Sequence, residues 1–86
     1  MENIRDLIAE ADTDILFLSE VVYDAALIGI AQHPHGQSAL YDGEKVLDIL
    51  MAGGMDRTDA IDYFEFNIAG AFVGDAGPSY FWKVQP

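Results

Sequence analysis

The sequence has no cysteine and only four basic residues, Arg5, Lys45, Arg57 and Lys83. Without cysteine there is neither a disulfide framework nor a thiolate zinc site, whatever the compartment. The scarcity of Lys and Arg argues against direct nucleic-acid binding, because affinity for the phosphate backbone comes from cations that displace its counterions. No apolar run approaches the roughly 20 residues needed to span a bilayer. The start, Met1-Glu2-Asn3, also lacks the basic opening of a secretory signal, so a soluble chain with no membrane partner is expected. There is no internal repeat, low-complexity tract or linker, and Pro34, Pro78 and Pro86 are scattered, which implies one compact domain over residues 1–86.

What is present is acid and apolar mass. Ten Asp and five Glu give the 86 residues a formal charge of −11, while 51% of the residues are apolar. That apolar fraction is too high for an unstructured acidic tail. A chain this short buries only about 60% of the surface its unfolded form exposes, so the core is thin and a homodimer would reinforce it. The charge favours a basic partner, such as a protein whose nucleic-acid groove accepts carboxylates in place of phosphates. The same surplus of Asp also serves solubility or adaptation to a saline habitat.

The pattern of apolar residues lays out the elements. Ile4, Leu7, Ile8 and Ala11 recur at helical spacing over residues 2–11, and Asp12-Thr13-Asp14 stops the helix. Ile15-Leu16-Phe17-Leu18 and residues 26–31 have strand length and are separated by residues 20–24. His33-Pro34-His35-Gly36 is turn chemistry, so Ser38 to Tyr41 returns as the second arm of a hairpin. Asp42 caps a helix over residues 43–52, with Val46, Ile49 and Leu50 inward and Gly53-Gly54 at its end. Asp56 opens another, whose inward stripe is Ala60, Ile61, Phe64, Ile68 and Ala71. Residues 80–84, rich in aromatics, read as a last strand. The expected fold class is α+β: a small, mostly antiparallel sheet of three to four strands, covered on one face by two or three helices.

Asp56, Asp59, Asp62 and Glu65 stand at successive spacings of three and form a drifting acidic ridge along the second of these helices. Together with Glu44 and Asp48 on the preceding helix they are the candidate partner-binding residues. Tyr63, Phe64, Phe66, Phe72, Tyr80, Phe81 and Trp82 are more aromatics than one small core can cover. Phe66 and Trp82 are therefore the candidates for an interface between copies. Asn67, next to the inward stripe, is expected to bond inward to backbone or to Tyr41.

Catalytic chemistry finds little support. His33 and His35 form a His-x-His pair that would hold a metal only with a carboxylate such as Asp24 or Asp42, and no third ligand is placed by spacing. Asp12-Thr13-Asp14 begins like a calcium loop, but no glycine follows at the sixth position and Tyr23 occupies the twelfth. Ser19, Ser38 and Ser79 lack a nucleophile elbow. Gly70, Gly74 and Gly77 follow a helix instead of opening one, so they do not form a phosphate loop. Carboxylates on the ridge could pair as acid and base only in a dry cleft, and a solvated face is the ordinary reason for such a run. No cofactor, no metal and no enzymatic activity are expected.

Tyr41-Asp42-Gly43, the following Ile49-Leu50-Met51, the Gly54-Met55 turn and the run from Asp62 to Gly74 that contains Tyr63-Phe64-Glu65-Phe66-Asn67 form one recognisable pattern. With Ala26 to Ile30 upstream, the stretch from about residue 24 to 81 resembles a family of small acidic proteins of bacteriophages and prophages. Gly77-Pro78-Ser79 departs from the threonine-proline step common in that family. The resemblance carries no catalytic residues. It implies an accessory protein, acting in the cytoplasm of a bacterial host, that inhibits a defence or nucleic-acid-processing protein through its acidic surface. Such a protein would be an anti-CRISPR-like or DNA-mimic inhibitor. The alternative is a self-associating structural or regulatory phage protein.

Overall fold

Asn3 starts the first helix by accepting a hydrogen bond from the Asp6 amide at 2.9 Å, in the computed structural model, which describes residues 3–71, 74 and 76–85. Glu2, the expected first residue of that helix, and Phe72, Val73 and Asp75 lie outside the described residues. Helix α1 spans Ile4–Ala11 and ends where Asp12 turns extended and its carboxylate accepts from the Asp14 amide at 2.9 Å. Its inward face is narrower than the spacing suggested. Ile8 is buried, Ile4 packs on the core edge, and Leu7 and Ala11 are exposed.

Ile15 to Leu18 form no strand, contrary to expectation. The Leu16 amide donates to the Ala76 carbonyl at 3.1 Å and the Leu18 amide to the Tyr41 hydroxyl at 3.0 Å. One of the two backbone donors is thus spent on a side chain, and no ladder results. The expected spacer at residues 20–24 is wound into a 3₁₀ helix, Val21–Ala26, with Tyr23 and Ala26 buried.

Strand β1 (Leu27–His33) and strand β2 (Gly36–Asp42) form the expected antiparallel hairpin around Pro34 and His35. Leu27 opposes Tyr41 while Gly29 opposes Leu40, so Ile28 is the extra residue of a β-bulge. Asp42 both ends β2 and caps helix α2 (Gly43–Ala52), its carboxylate accepting from the Glu44 and Lys45 amides. Val46, Leu47 and Leu50 are buried and Ile49 only partly, so the inward face is rotated toward Leu47. Asp56 caps helix α3 (Arg57–Tyr63), accepting from the Asp59 amide at 2.8 Å. The helix then widens into a π-helical segment, Phe64–Ala69.

Strand β3 (Ser79–Phe81) lies beside β2 and parallel to it, with Leu40 opposite Ser79 and Tyr41 opposite Tyr80. A parallel return needs a long crossover, here made by α2 and α3. The three-stranded sheet, ordered β1-β2-β3, is thus mixed, and the chain is a small α+β fold. Ala39 and Tyr41 of the central strand meet Val46, Leu47, Leu50, Ala60, Phe64 and Ile68 in one core. No helix among the described residues is long and apolar enough to cross a membrane.

Candidate functional site

Two capped helices joined by a short turn carry exposed carboxylates. Asp42 and Asp56 are the caps, and Gly53 and Gly54 make the turn between α2 and α3. Glu44, Asp48, Asp56, Asp59, Asp62 and Glu65 are all exposed. Their roles differ. Asp56 is occupied by its own helix, since its carboxylate takes the Asp59 amide. Glu44 is occupied by Arg57, which donates from both terminal nitrogens at 3.0 and 3.2 Å. That bidentate bond holds the Glu44 carboxyl below its ordinary value, and the same carboxylate raises Arg57, with Asp48 adding a smaller push in the same direction. Arg57 therefore sits beside Glu44 and Asp48 as a cation among the carboxylates.

The ridge also bends. Asp59 and Asp62 lie on α3, but Glu65 lies in the π-helical segment, where a turn takes more residues, so a spacing of three falls further short of a full turn and offsets Glu65 from the line of Asp59 and Asp62. Sequence spacing located the carboxylates but missed Arg57 as their internal counter-ion. The available signal was its position directly after the Asp56 cap, at the start of a helix packed against α2.

The other side of α2 and α3 meets an aromatic seam. Phe64, which is buried, meets Tyr80 edge-on at 4.8 Å between ring centroids and Trp82 edge-on at 5.4 Å, and Tyr80 lies 6.2 Å from Tyr41. Gly43, the first residue of α2, makes room for Trp82: a Cβ there would lie 2.5 Å from the indole Cζ2. Burial pushes the Tyr80 hydroxyl up to about 12, with Tyr41 adding to the shift. Burial also raises Tyr41, against the opposing effect of the Leu18 amide bonded to its oxygen. Trp82 is thus anchored on one side and open on the other, at 43% exposure, whereas Phe66 is 81% exposed.

Asn67 does not bond inward. It is exposed and lines a cavity beside the π-helical segment, because the widened turn directs it away from the core. His33 and His35 face each other across the hairpin turn with ring centroids 6.4 Å apart, and His33 Nδ1 accepts from the His35 amide. Among the described residues no group of three or more His, Asp or Glu side chains is placed to hold a metal ion. Asp24, one of the carboxylates considered for that pair, is instead bound by Arg5 at 3.0 Å.

Comparison with protein-family models, with curated proteins and with solved structures finds no match to this chain. The acidic surface and the aromatic seam therefore have to be interpreted from their own chemistry.

Proposed function

We propose that the chain is a non-enzymatic binding protein of phage type that inhibits a defence or nucleic-acid-processing protein of its bacterial host. In this reading the acidic surface of α2 and α3 enters the target's basic groove, where its carboxylates take the place of phosphates. Asp59, Asp62 and Glu65 are the principal contacts, with Glu44, Asp48 and Asp56 at the margin. The observation that supports it is the exposure of all six carboxylates on two helices tied together by the Glu44–Arg57 bond. Carboxylates carried on formed helices present their pattern without first ordering an unstructured segment, which keeps binding energy from being lost to entropy.

The test is capture of tagged protein's partners from a lysate of the host at low salt, with elution by high salt. The eluted partner is then titrated with the variant Asp59→Asn, Asp62→Asn, Glu65→Gln. Loss of binding with an unchanged melting curve supports the proposal, and unchanged affinity overturns it. The 81% exposure of Phe66 favours a second reading, self-association through the aromatic side. Under that reading Phe66→Asp lowers the mass seen by light scattering, while the triple acidic variant leaves it unchanged.

A further inference from the structure

The two edges of the sheet are guarded unequally. Strand β3 is three residues long and Lys83 follows just after it, and shortness and an edge lysine are both devices that keep a strand from pairing with another chain. Strand β1, the outer strand on the other side, has seven residues, Leu27–His33, with no charge and no proline among them. Its bulge at Ile28 disturbs only the start, and Gly29 to His33 pair in regular register with β2. The strand is also open to solvent. Helix α1 packs against β1 but leaves Ile28, at 45% exposure, and Gln32 exposed. With β2 on one side only, alternate residues of β1 turn N–H and C=O groups outward, away from the ladder.

Charge selects what can lie along this edge. Between Asp24 and Asp42, residues 25–41 contain no Asp, Glu, Lys or Arg, the longest such stretch in the chain. Two copies at −11 each repel wherever carboxylates face one another, and the hairpin is where their approach costs least. A strongly acidic or basic partner finds no counter-charge there. An uncharged strand of matching length meets no such mismatch, and a second copy supplies one. Two β1 strands running antiparallel about a twofold axis offer each other the same groups. With the axis at Ile30, the middle of the strand, Ile28 of one copy lies opposite Gln32 of the other.

We propose that two copies of the chain pair through β1, antiparallel about a twofold axis at Ile30, and join their three-stranded sheets into one continuous sheet of six. The pairing adds buried area to a domain too small to bury much by itself. It uses neither Phe66 nor the carboxylates of α2 and α3, so it stands apart from both readings given above. One strand from each copy makes a small interface, and the expected dissociation constant is about 0.1 mM. Salt should strengthen the pairing by screening the repulsion between copies, whereas it weakens contact between an acidic surface and a basic groove.

The test is sedimentation equilibrium of the full chain from about 10 µM to about 1 mM, at low salt and in about 0.5 M sodium chloride, with amide hydrogen exchange measured at both ends of that range. The expected result is a mass that rises toward twice the monomer, a dissociation constant that falls severalfold with salt, and slower exchange at amides of residues 28–32 in the concentrated sample. The double variant Ile28→Lys, Gln32→Lys sets lysines of the two copies opposite each other and should raise the dissociation constant at least about tenfold. It also lowers the net negative charge, which would favour association through any other surface. A chain that stays monomeric at about 1 mM in high salt overturns the proposal. So does a dimer that weakens with salt, one that the folded double variant leaves intact, or one whose slowed amides lie around Phe66 instead of β1. The salt and exchange readings are made on the unaltered chain, so they decide the matter whether or not the double variant folds.

Discussion

Helix α2 separates two surfaces that are built on opposite terms. On one side Gly43, Val46, Leu47 and Leu50 are buried, and Gly43 abuts the aromatic seam through Trp82; on the other Glu44 and Asp48 stand in solvent beside Arg57. The seam depends on shape, since rings held within 5–6 Å lose contact when any one moves. The acidic surface depends on position alone, because exposed charges contribute little to stability and are screened by salt. Stability should therefore reside in the seam and partner binding in the acidic surface. A substitution that disturbs both would break this division.

The largest effect is expected from Phe64→Ala. Phe64 is buried and meets both Tyr80 and Trp82 edge-on, so its removal leaves a cavity and takes one ring contact from each. The expected loss is about 3–5 kcal/mol, large enough to unfold a domain of marginal stability. Denaturant unfolding followed by Trp82 fluorescence would show it, and a loss below about 1 kcal/mol would mean that the seam is not the core's keystone.

The seam also shows where sequence reasoning stopped. The elements were legible wherever a local signal set them: the hairpin at Pro34, the Asp42 and Asp56 caps, and the extent of α2 from Gly43 to Ala52. Each depends on residues within a few positions of one another. The contacts that fix the tertiary arrangement do not. Gly43 reads as an ordinary residue following a cap, and only the approach of Trp82 from the far end of the chain explains why a side chain is excluded there. Ile15 to Leu18 has the composition of a strand, and what it lacks, a neighbouring edge to pair with, is a property of the whole fold. The widening of α3 at Phe64 leaves no trace in apolar spacing, because Ala60, Phe64 and Ile68 remain four apart and all buried. It therefore misled the readings of Asn67 and Glu65, while Ile61 and Ala71, expected in the inward stripe, are exposed. For the acidic surface, the carboxylates were legible as a spacing, but the counter-ion Arg57 was not, because its bond to Glu44 spans two helices.

Gly43→Ala sharpens the comparison on α2 itself. The added methyl group would overlap the Trp82 ring, which must leave its site, at an expected cost of about 1–3 kcal/mol. Trp82 emission should shift to the red as the indole enters water. The neighbouring Glu44→Ala, one residue further on, should leave that emission unchanged. A red shift in both variants would mean that the two surfaces are mechanically coupled through the first turn of α2.

pH separates the surfaces next. Tyr80 and Tyr41 are raised above their ordinary value of 10.0 by burial, so the folded state favours the protonated phenols. The stability they contribute is fully present below pH 10 and is lost as pH rises through about 12, the value for Tyr80. Absorbance titration should therefore show at least one tyrosine ionising late and together with unfolding. Ionisation of all four tyrosines near 10 in a folded chain would contradict the burial of the seam.

The smallest effect belongs to Glu44→Gln, which tests the acidic surface where it is most ordered. Arg57 holds the Glu44 carboxyl below its ordinary value of 4.5, so whatever stability the pair adds is present above that pH and fades as pH falls through the lowered value. Both partners are exposed, so the difference in melting temperature between the parent and the variant should be slight at pH 7 and vanish in acid. Partner binding should respond differently. If Arg57 shields the surface by engaging Glu44, the variant frees the guanidinium without adding a carboxylate, and binding of a basic partner should weaken more than stability does. Equal and negligible changes in both would place Glu44 outside the binding surface.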